Sequence, residues 1–409
     1  MMTVLRKEMD GFVASGALPG AVIGISSPSG EWIEAVGSSG PGGAPLPADA
    51  VVRISSMTKP LTAALTLQLA ADGVLALDAP VTRWLPELAH RRVVRRLDGP
   101  ADDTVPAERE ATVEDLLTMR LGFGFAFEVD SCPVADLAVA RGLGMGPPLP
   151  SAVQHTPDEW IAQFATLPLM EQPGRHWRYD LAYSVLGVLL ARAAGKPLPA
   201  LMAERLFQPL GMVDTGFSVP VRARERLIPC FTSGDDGLVV FDGTSDSDWL
   251  EPPVFPHAGG GLVSTAADYL RFGRLLLNGG SLPSDGSPPG EGDPLDGGSL
   301  PGGADPLDGG SLLSAEAIDD LSRDHLGEEQ RNGPSASIFL DGEGWGHGVQ
   351  VRLDPALPRR YGWGGGLGTT WYNFPDHGVT AVLMTQHLPP LGEPILHFWK
   401  TLDDLLGAA

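Results

Sequence analysis

Strand-like patterns lie at both ends of this chain, and helical patterns fill its middle. Residues 21–25 and 32–36, separated by Ser-Pro-Ser-Gly, predict an antiparallel hairpin near the N-terminus. Residues 369–372 and 379–384 are rich in β-branched and aromatic side chains around a Pro-Asp-His-Gly turn, which predicts a second strand pair. Helical periodicity predicts helices over 1–17, 56–72, 112–119, 157–167, 180–195, 199–208, 266–278 and 393–406. This order predicts an α/β domain built from both chain ends, with a helical domain inserted between them.

The domain boundaries follow from where these patterns change. We predict that 1–75 and 251–409 form the α/β domain and that 76–250 form a mostly helical inserted domain, because 409 residues are too many for one ordinary core. Residues 283–312 are almost all Gly, Pro, Asp, Ser and Leu and contain one eight-residue sequence twice. This composition predicts a low-complexity loop insertion, and its aspartate spacing fits no EF-hand calcium loop.

The charge balance of the chain bears on its partners. It has 28 basic and 51 acidic residues, which gives a net charge of −23. Because this field repels polyanions, we expect no nucleic acid partner. The N-terminus becomes charged at once and no long apolar run is present, so we expect no signal peptide, no membrane span and a cytoplasmic location. The two cysteines, Cys132 and Cys230, are expected to be free thiols.

One Ser-x-x-Lys motif is present, formed by Ser56 and Lys59. On a helix, positions i and i+3 share a face, so the hydroxyl and the amine come within hydrogen-bond reach, and the helix N-terminus favours an oxyanion. Lys59 has to be neutral to act as a base, and we expect burial with few carboxylates nearby to lower its pKa. Taken alone, the motif also fits a capping Ser followed by a surface Lys.

Further segments accompany this motif in order along the chain. They cover residues 53–63, 112–122, 173–179, 209–215, 259–268 and 363–365. With them the chain resembles the serine β-lactamase and penicillin-binding-protein superfamily, and within it the class C-like branch that includes carboxylesterases with a Trp-Gly-Gly third motif. The resemblance implies an α+β fold of the β-lactamase/transpeptidase-like kind, an antiparallel sheet flanked by helices with an inserted all-helical domain.

The resemblance also assigns the candidate catalytic residues. Ser56 is implied as the nucleophile, with Lys59 and Tyr179 sharing the proton-transfer role, and which of the two is the base stays open. The backbone N–H groups of Ser56 and Gly366 are implied as the oxyanion hole. Tyr183 is the alternative to Tyr179, but only Tyr179 fits the second motif, so we interpret Tyr183 as structural.

Two departures from the penicillin-recognising pattern bear on the substrate. The second motif has Leu181 where that pattern has Asn, and the third has Trp363, followed by Gly364 and Gly365, where it has Lys-Thr-Gly. The amide and the cation that would hold a β-lactam are therefore replaced by apolar groups, with one indole N–H donor. We interpret Leu181, Trp363, Gly364 and Gly365 as a pocket for a neutral ester with an apolar part.

These features predict a serine hydrolase that cleaves small-molecule carboxylic esters through an acyl-Ser56 intermediate. The alternatives are a β-lactamase or D-alanyl-D-alanine peptidase, an acyltransferase that uses the same acyl-enzyme, and a non-catalytic scaffold that kept the fold. No His-Glu-x-x-His and no paired Cys-x-x-Cys is present, so we expect neither a metal nor another cofactor. The oligomeric state stays open.

Other polar residues are interpreted as structural. His257 and His347 are candidates for the lining of the cleft, but buried or surface structural roles are favoured for both. The basic cluster Arg91, Arg92, Arg95 and Arg96 is interpreted as a solvated helix face paired with local acids.

Overall fold

The structure is a computed structural model that describes residues 1–146, 149–235, 237–282 and 310–407. The predicted loop insertion, with its repeated sequence, lies almost entirely outside these ranges. The strands are β1 (Gly20–Ser27), β2 (Gly30–Gly37), β3 (Val52–Arg53), β4 (Arg92–Val94), β5 (Thr104–Pro106), β6 (Cys230–Gly234), β7 (Gly237–Asp242), β8 (Val263–Ser264), β9 (Gly344–Trp345), β10 (Gln350–Val351), β11 (Tyr361–Gly365), β12 (Thr369–Phe374), β13 (Val379–Met384) and β14 (His387–Leu388). The helices are α1 (Met2–Ala14), α2 (Thr58–Ala71), α3 (Val113–Leu117), α4 (Pro133–Ala140), α5 (Pro157–Ala165), α6 (Ala182–Ala194), α7 (Leu198–Met202), α8 (Gln208–Leu210), α9 (Ala266–Leu277), α10 (Ala315–Leu321), α11 (Glu328–Arg331), α12 (Pro334–Phe339) and α13 (Gly392–Gly407).

The main sheet joins the two ends of the chain. Its strand order is β2-β1-β13-β12-β11-β10-β9, and each pair is antiparallel. The N-terminal hairpin pairs with the C-terminal one through β1 and β13, in a register that places Val22 opposite Met384. The predicted antiparallel sheet flanked by helices is therefore confirmed.

The two faces of this sheet are covered by different helices. Side chains alternate along a strand, and in β1 the buried Ala21, Ile23 and Ile25 pack in one apolar cluster with residues of α1 and α13. The opposite face packs on α9. Gly24 of β1 allows this close packing, because a Cβ at that position would stand only 3.1 Å from Leu270 Cδ1. The sheet is thus the central layer between helices.

Helix α2 runs through the apolar core on the α9 side of the sheet. Its residues from Thr58 to Leu69 are all buried, including the polar Lys59 and Gln68. Two of its hydroxyls are satisfied within the helix, since Thr62 donates to the Thr58 carbonyl and Thr66 to the Thr62 carbonyl. The helix that carries Lys59 is consequently held in place by packing along its length.

The middle of the chain is mostly helical but also contains strands. The antiparallel pairs β4–β5 and β6–β7 fall within residues 76–250. The basic cluster departs from the predicted helix face, because Arg92 begins strand β4 and Arg91 is only partly exposed, with its guanidinium on the Ala165 carbonyl. The division of the chain into two domains stays a prediction.

Within the described residues, no single helix has the length and apolar character of a membrane span. One pair of helices, Ala182–Ala194 and Leu198–Leu210, meets that test only when the two are joined across a bend of 78°.

Candidate active site

A tight turn presents Ser56 at the start of α2. The segment Ser55–Met57 is a 3₁₀ turn, and Ser55 has a φ of +44°, a backbone conformation that costs a non-glycine residue free energy. The strand before it is anchored by the buried Arg53, which donates to the Asp242 carboxylate and to the Ile228 carbonyl. The hydrogen bonds of Arg53 therefore hold the turn in place, and Ser56 itself is partly exposed.

Lys59 lies directly beneath the Ser56 hydroxyl and is fully buried. Its Nζ is 3.0 Å from Ser56 Oγ and 2.7 Å from the carbonyl oxygen of Gly259, and it is ion-paired with Asp180 Oδ1 at 2.9 Å. A buried lysine beside a carboxylate keeps its charge more readily than one without, so the ion pair with Asp180 matches the protonated form of Lys59.

The pKa of Lys59 differs from the expectation of a lowered value. Burial alone would lower it, but the neighbouring Asp180 carboxylate, together with Tyr179, outweighs burial and raises the pKa. The sequence-based expectation of few carboxylates nearby is wrong, because Asp180 follows Tyr179 directly and is itself buried.

Tyr179 approaches the same hydroxyl from the other side. Its Oη lies 2.7 Å from Ser56 Oγ and accepts a hydrogen bond from the indole N–H of Trp363 at 3.1 Å. The Lys59 ammonium stands 4.6 Å from the centre of the Tyr179 ring. The three residues predicted as catalytic are thus brought together around one oxygen atom.

The end of β11 is pressed against the turn that carries Ser56. A Cβ on Gly365 would stand 2.3 Å from the carbonyl oxygen of Ile54, so only glycine fits there, and Thr369 Oγ1 also donates to that carbonyl. Gly366 follows directly and is partly exposed. This close approach is what an oxyanion hole between the Ser56 and Gly366 amides requires, and that role stays a prediction.

Aromatic side chains surround Tyr179. Its ring lies 4.6 Å from that of Phe339, 5.5 Å from Trp177, 5.7 Å from Trp363 and 6.2 Å from Phe125. Phe339 and Phe125 are both partly exposed, so they form an apolar surface beside the reactive hydroxyl.

The predicted pocket residues occupy different kinds of position. Trp363 is almost buried and directs its N–H to Tyr179, and Gly364 is partly exposed. Leu181 departs from its expected role as a pocket wall, because it is 1% exposed and packs in the main apolar core at the start of α6. The Asn of the related pattern is therefore replaced here by a core side chain.

The residues interpreted as structural are buried behind this site. Tyr183 donates its hydroxyl to the Leu117 carbonyl at 3.1 Å, and burial raises its pKa well above the ordinary value. His257 is 3.0 Å from the Ser184 hydroxyl, and burial lowers its pKa to about 4, so it is neutral at pH 7. Cys132 and Cys230 are free and buried.

One cluster of metal-ligand types occurs among the described residues. Single donor atoms of Glu114, His325 and His347 lie within 4.8 Å of one another, and Glu114 Oε2 is 2.9 Å from His347 Nε2. The two imidazoles are stacked at 4.2 Å with an angle of 11° between their planes. An imidazole lone pair lies in the plane of its ring. The planes of two stacked rings are nearly parallel, so their lone pairs do not converge on one ion. The expected absence of a metal stays a prediction.

The chain matches the Beta-lactamase family over residues 5–405. It belongs to that family. It is 35% identical to Protein Rv1367c of Mycobacterium tuberculosis over 359 residues, covering 85% of this chain and 80% of that protein. It is 31% identical to Esterase EstB of Burkholderia gladioli over 369 residues, covering 84% of this chain and 79% of EstB.

Solved structures give the same result for the fold. EstCE1, described as a hydrolase with promiscuous acyltransferase activity, has a TM-score of 0.73 at 20% identity, covering 97% of both chains. The β-lactamase/transpeptidase-like fold is thereby confirmed for this Beta-lactamase-family chain. The expected enzyme class, a serine hydrolase of esters, is confirmed as well, since Esterase EstB is among the relatives of this chain.

Sequence reasoning missed two contributors to the site. Asp180 is part of the second motif, but only its neighbours received a role, and its acidic side chain directly after Tyr179 was the available signal. Phe339 belongs to no motif, and only the fold brings α12 against Tyr179.

Proposed function

We propose that this chain hydrolyses small carboxylic esters through an acyl-Ser56 intermediate, with Tyr179 as the proton carrier and Lys59 as a fixed positive charge. The observation that carries the proposal is the contact of Ser56 Oγ with both Tyr179 Oη, at 2.7 Å, and Lys59 Nζ, at 3.0 Å.

The state of Lys59 supports Tyr179 over Lys59 as the proton acceptor. Its Nζ is faced by Asp180 Oδ1 and by the Gly259 carbonyl oxygen as well as by Ser56 Oγ, and its pKa is raised despite burial. A protonated lysine has no lone pair with which to take a proton. Its positive charge instead stabilises the alkoxide that forms on Ser56 during attack.

Tyr179 has the hydrogen-bonding capacity for a proton relay. A phenolic oxygen accepts two hydrogen bonds and donates one. In the proposed reaction, Oη accepts the Trp363 N–H and the Ser56 proton, and it donates its own proton to the departing alkoxide. The bond between Ser56 Oγ and the acyl carbon forms, and the ester C–O bond breaks. Water then attacks the acyl carbon with the proton flow reversed, which releases the carboxylic acid and restores Ser56.

The surroundings of Tyr179 favour an apolar, uncharged substrate. Trp363 stands in place of the cation of the penicillin-recognising motif, and its only donor is occupied by Tyr179. Phe125 and Phe339 add aromatic surface next to the reactive oxygen. These three side chains gain free energy by burying alkyl groups, and none of them offers a free donor to a carboxylate.

The test is an ester assay with active-site variants. Wild-type protein, Ser56→Ala and Tyr179→Phe would be compared on p-nitrophenyl butyrate and on a chromogenic cephalosporin. We expect butyrate turnover that is abolished in Ser56→Ala, and little cephalosporin turnover. Mass spectrometry of protein quenched during turnover is expected to show one acyl group on the peptide that contains Ser56.

The matched control is Tyr183→Phe, which removes a hydroxyl from a neighbouring buried tyrosine and is expected to keep most of the activity. Ester turnover that survives Ser56→Ala would overturn the proposal. Cephalosporin turnover faster than that of the ester would favour the β-lactamase alternative. Release of a butyrate ester instead of butyrate in the presence of an added alcohol would favour the acyltransferase.

A further inference from the structure

A second pocket lies away from the catalytic residues and combines an apolar floor with a basic rim. It is a cavity of about 390 Å³. Buried side chains that include Val81, Leu121 and Leu169 line its floor, and Arg91 and Arg92 are on its edge. The described residues that line it do not include Ser56, Lys59 or Tyr179.

The arginines of this region differ in their counterions. Arg95 and Arg96, which do not line the cavity, are ion-paired with Asp103 and Asp98. Arg91 and Arg92, which line it, form no ion pair within the described part of the chain. In a chain with a net charge of −23, two adjacent arginines without a carboxylate partner are an exception that needs a reason.

Arg91 is held in place by neutral groups. Its guanidinium donates to the carbonyl oxygens of Ala165 and Phe164 and lies 4.9 Å from the Phe164 ring centre. Its Nε is buried and has no hydrogen-bond partner among the described residues. Burial without a compensating carboxylate lowers the pKa of Arg91 to about 10, so it is still charged at pH 7. A buried charge of this kind is stabilised by an anion.

Arg92 completes the basic side of the cavity. Its Nε and Nη2 donate to the hydroxyl and the carbonyl oxygen of Thr104, which fixes the side chain but leaves its charge unneutralised. Arg109 also lines the cavity but is paired with Asp115, and Glu110 adds a carboxylate at the rim. Among the described residues that line the cavity, Arg91, Arg92 and Glu110 form no ion pair, so their charges sum to +1, and the positive charge lies on the two arginines.

We propose that this cavity binds a small monocarboxylate with an apolar tail, its carboxylate on Arg91 and Arg92 and its tail on the buried floor. A guanidinium matches the planar geometry of a carboxylate and forms charge-assisted hydrogen bonds with it. The apolar floor favours binding of this ligand over inorganic phosphate, which has no apolar tail to bury. A neutral alcohol of equal length has the tail but not the charge.

The proposal is tested by direct binding with the full-length protein. Isothermal titration calorimetry in low-chloride buffer would compare sodium hexanoate, 1-hexanol and inorganic phosphate. Hexanoate is expected to bind the wild-type protein at least about tenfold more tightly than either of the others. Arg91→Gln is expected to weaken hexanoate binding about tenfold or more, the loss typical of one charge-assisted hydrogen bond.

The matched control is Arg95→Gln, because Arg95 is a nearby arginine that lies outside the cavity and has its own carboxylate partner. It is expected to change hexanoate binding less than about twofold. If thermal melting shows that Arg91→Gln is unfolded, Arg92→Gln replaces it under the same criterion, since the Arg92 side chain is exposed.

Equal affinity for hexanoate in the wild-type protein and the cavity variant would overturn the proposal, because binding at the catalytic site is independent of Arg91. Phosphate or 1-hexanol that binds as tightly as hexanoate would overturn the ligand class. The absence of hexanoate binding to the wild-type protein at millimolar concentrations would overturn the site itself.

Discussion

Replacing Asp180 by Asn tests the assignment of Lys59 as a fixed charge. Asn has nearly the shape of Asp and keeps an oxygen that can accept the Gly146 N–H, which lies 3.0 Å from Asp180 Oδ2. The substitution removes only the negative charge 2.9 Å from the buried Lys59 ammonium. In the variant, burial still disfavours the charged form of Lys59, but the carboxylate that opposes this effect is gone. The pKa of Lys59 therefore falls.

The stability change follows from the same contact. Removing one partner of a buried ion pair costs about 3–5 kcal/mol. With an unfolding entropy of about 2.1 cal/mol/K per residue, a 409-residue chain that unfolds in one step would lose about 3–6 °C in Tm at pH 7. In the wild-type protein the raised pKa of Lys59 supplies stability that persists up to the ordinary lysine pKa, near 10.4. In the variant the pKa of Lys59 is lowered, so the free-energy cost of its buried charge shrinks as pH rises. The difference in Tm between the wild-type protein and the variant is expected to narrow between pH 7 and pH 10.

Activity gives the sharper readout. If Lys59 acts as a charge, kcat/KM for p-nitrophenyl butyrate in Asp180→Asn falls as pH rises toward 9 and Lys59 loses its proton, by up to about 10²–10³-fold, the range for loss of one electrostatic stabiliser. If Lys59 were the base, its neutral form would become more populated and the activity would rise with pH. Asp404→Asn is the control, because Asp404 pairs with Lys400 on the surface and is 66% exposed. An Asp180→Asn enzyme as active as the wild type at pH 9 would refute the reasoning.

Three further predictions concern other parts of the site. Tyr179→Phe is expected to lower kcat about 10²–10⁴-fold with KM nearly unchanged, whereas Tyr183→Phe stays within about threefold, and steady-state kinetics on one ester separates the two. Phe339→Ala is expected to lower kcat/KM about five- to fifteen-fold more for the butyrate than for the acetate ester, since two methylenes lose their contact; equal losses on both esters would contradict this. Gly365→Ala places a Cβ 2.3 Å from the Ile54 carbonyl oxygen and is expected to lower kcat about 10²-fold. The control is Gly364→Ala, whose Cβ would be 3.2 Å from Thr370 Cγ2, and it is expected to retain activity in the same assay.

The fold was largely predictable because its signals are local. The hairpins at the two chain ends are marked by β-branched runs on either side of turn residues. Helix α9 is capped by Thr265, begins at Ala266 and follows the predicted periodicity to Leu277. The short strands β4 and β6 were not predicted. Each is stabilised by a partner strand and by packing that a local pattern does not contain.

The positions of Ser56, Lys59 and Tyr179 were readable from ordered motifs, but the electrostatics around them was not. Asp180 lies next to Tyr179 in the chain, whereas its contact with Lys59 spans 121 positions and depends on how α2 and α6 pack. The pKa of Lys59 results from the difference between a burial effect that lowers it and a charge effect that raises it. The sign of such a difference is decided by one contact, which a sequence pattern does not report.

Trp363 stands where the penicillin-recognising motif has a substrate-binding lysine, and it contacts a candidate catalytic residue instead. The sequence led us to interpret its indole as a wall of the pocket, with a donor available to the substrate. In the structure that donor is used by Tyr179 Oη, the atom that also contacts Ser56 Oγ. A hydrogen bond from the indole N–H holds the phenolic oxygen in place while, in the proposed relay, it accepts the Ser56 proton and donates its own. Trp363 therefore contacts the proposed proton carrier, and the preference that we propose for an apolar ester rests on a third motif whose one polar side-chain group is already occupied.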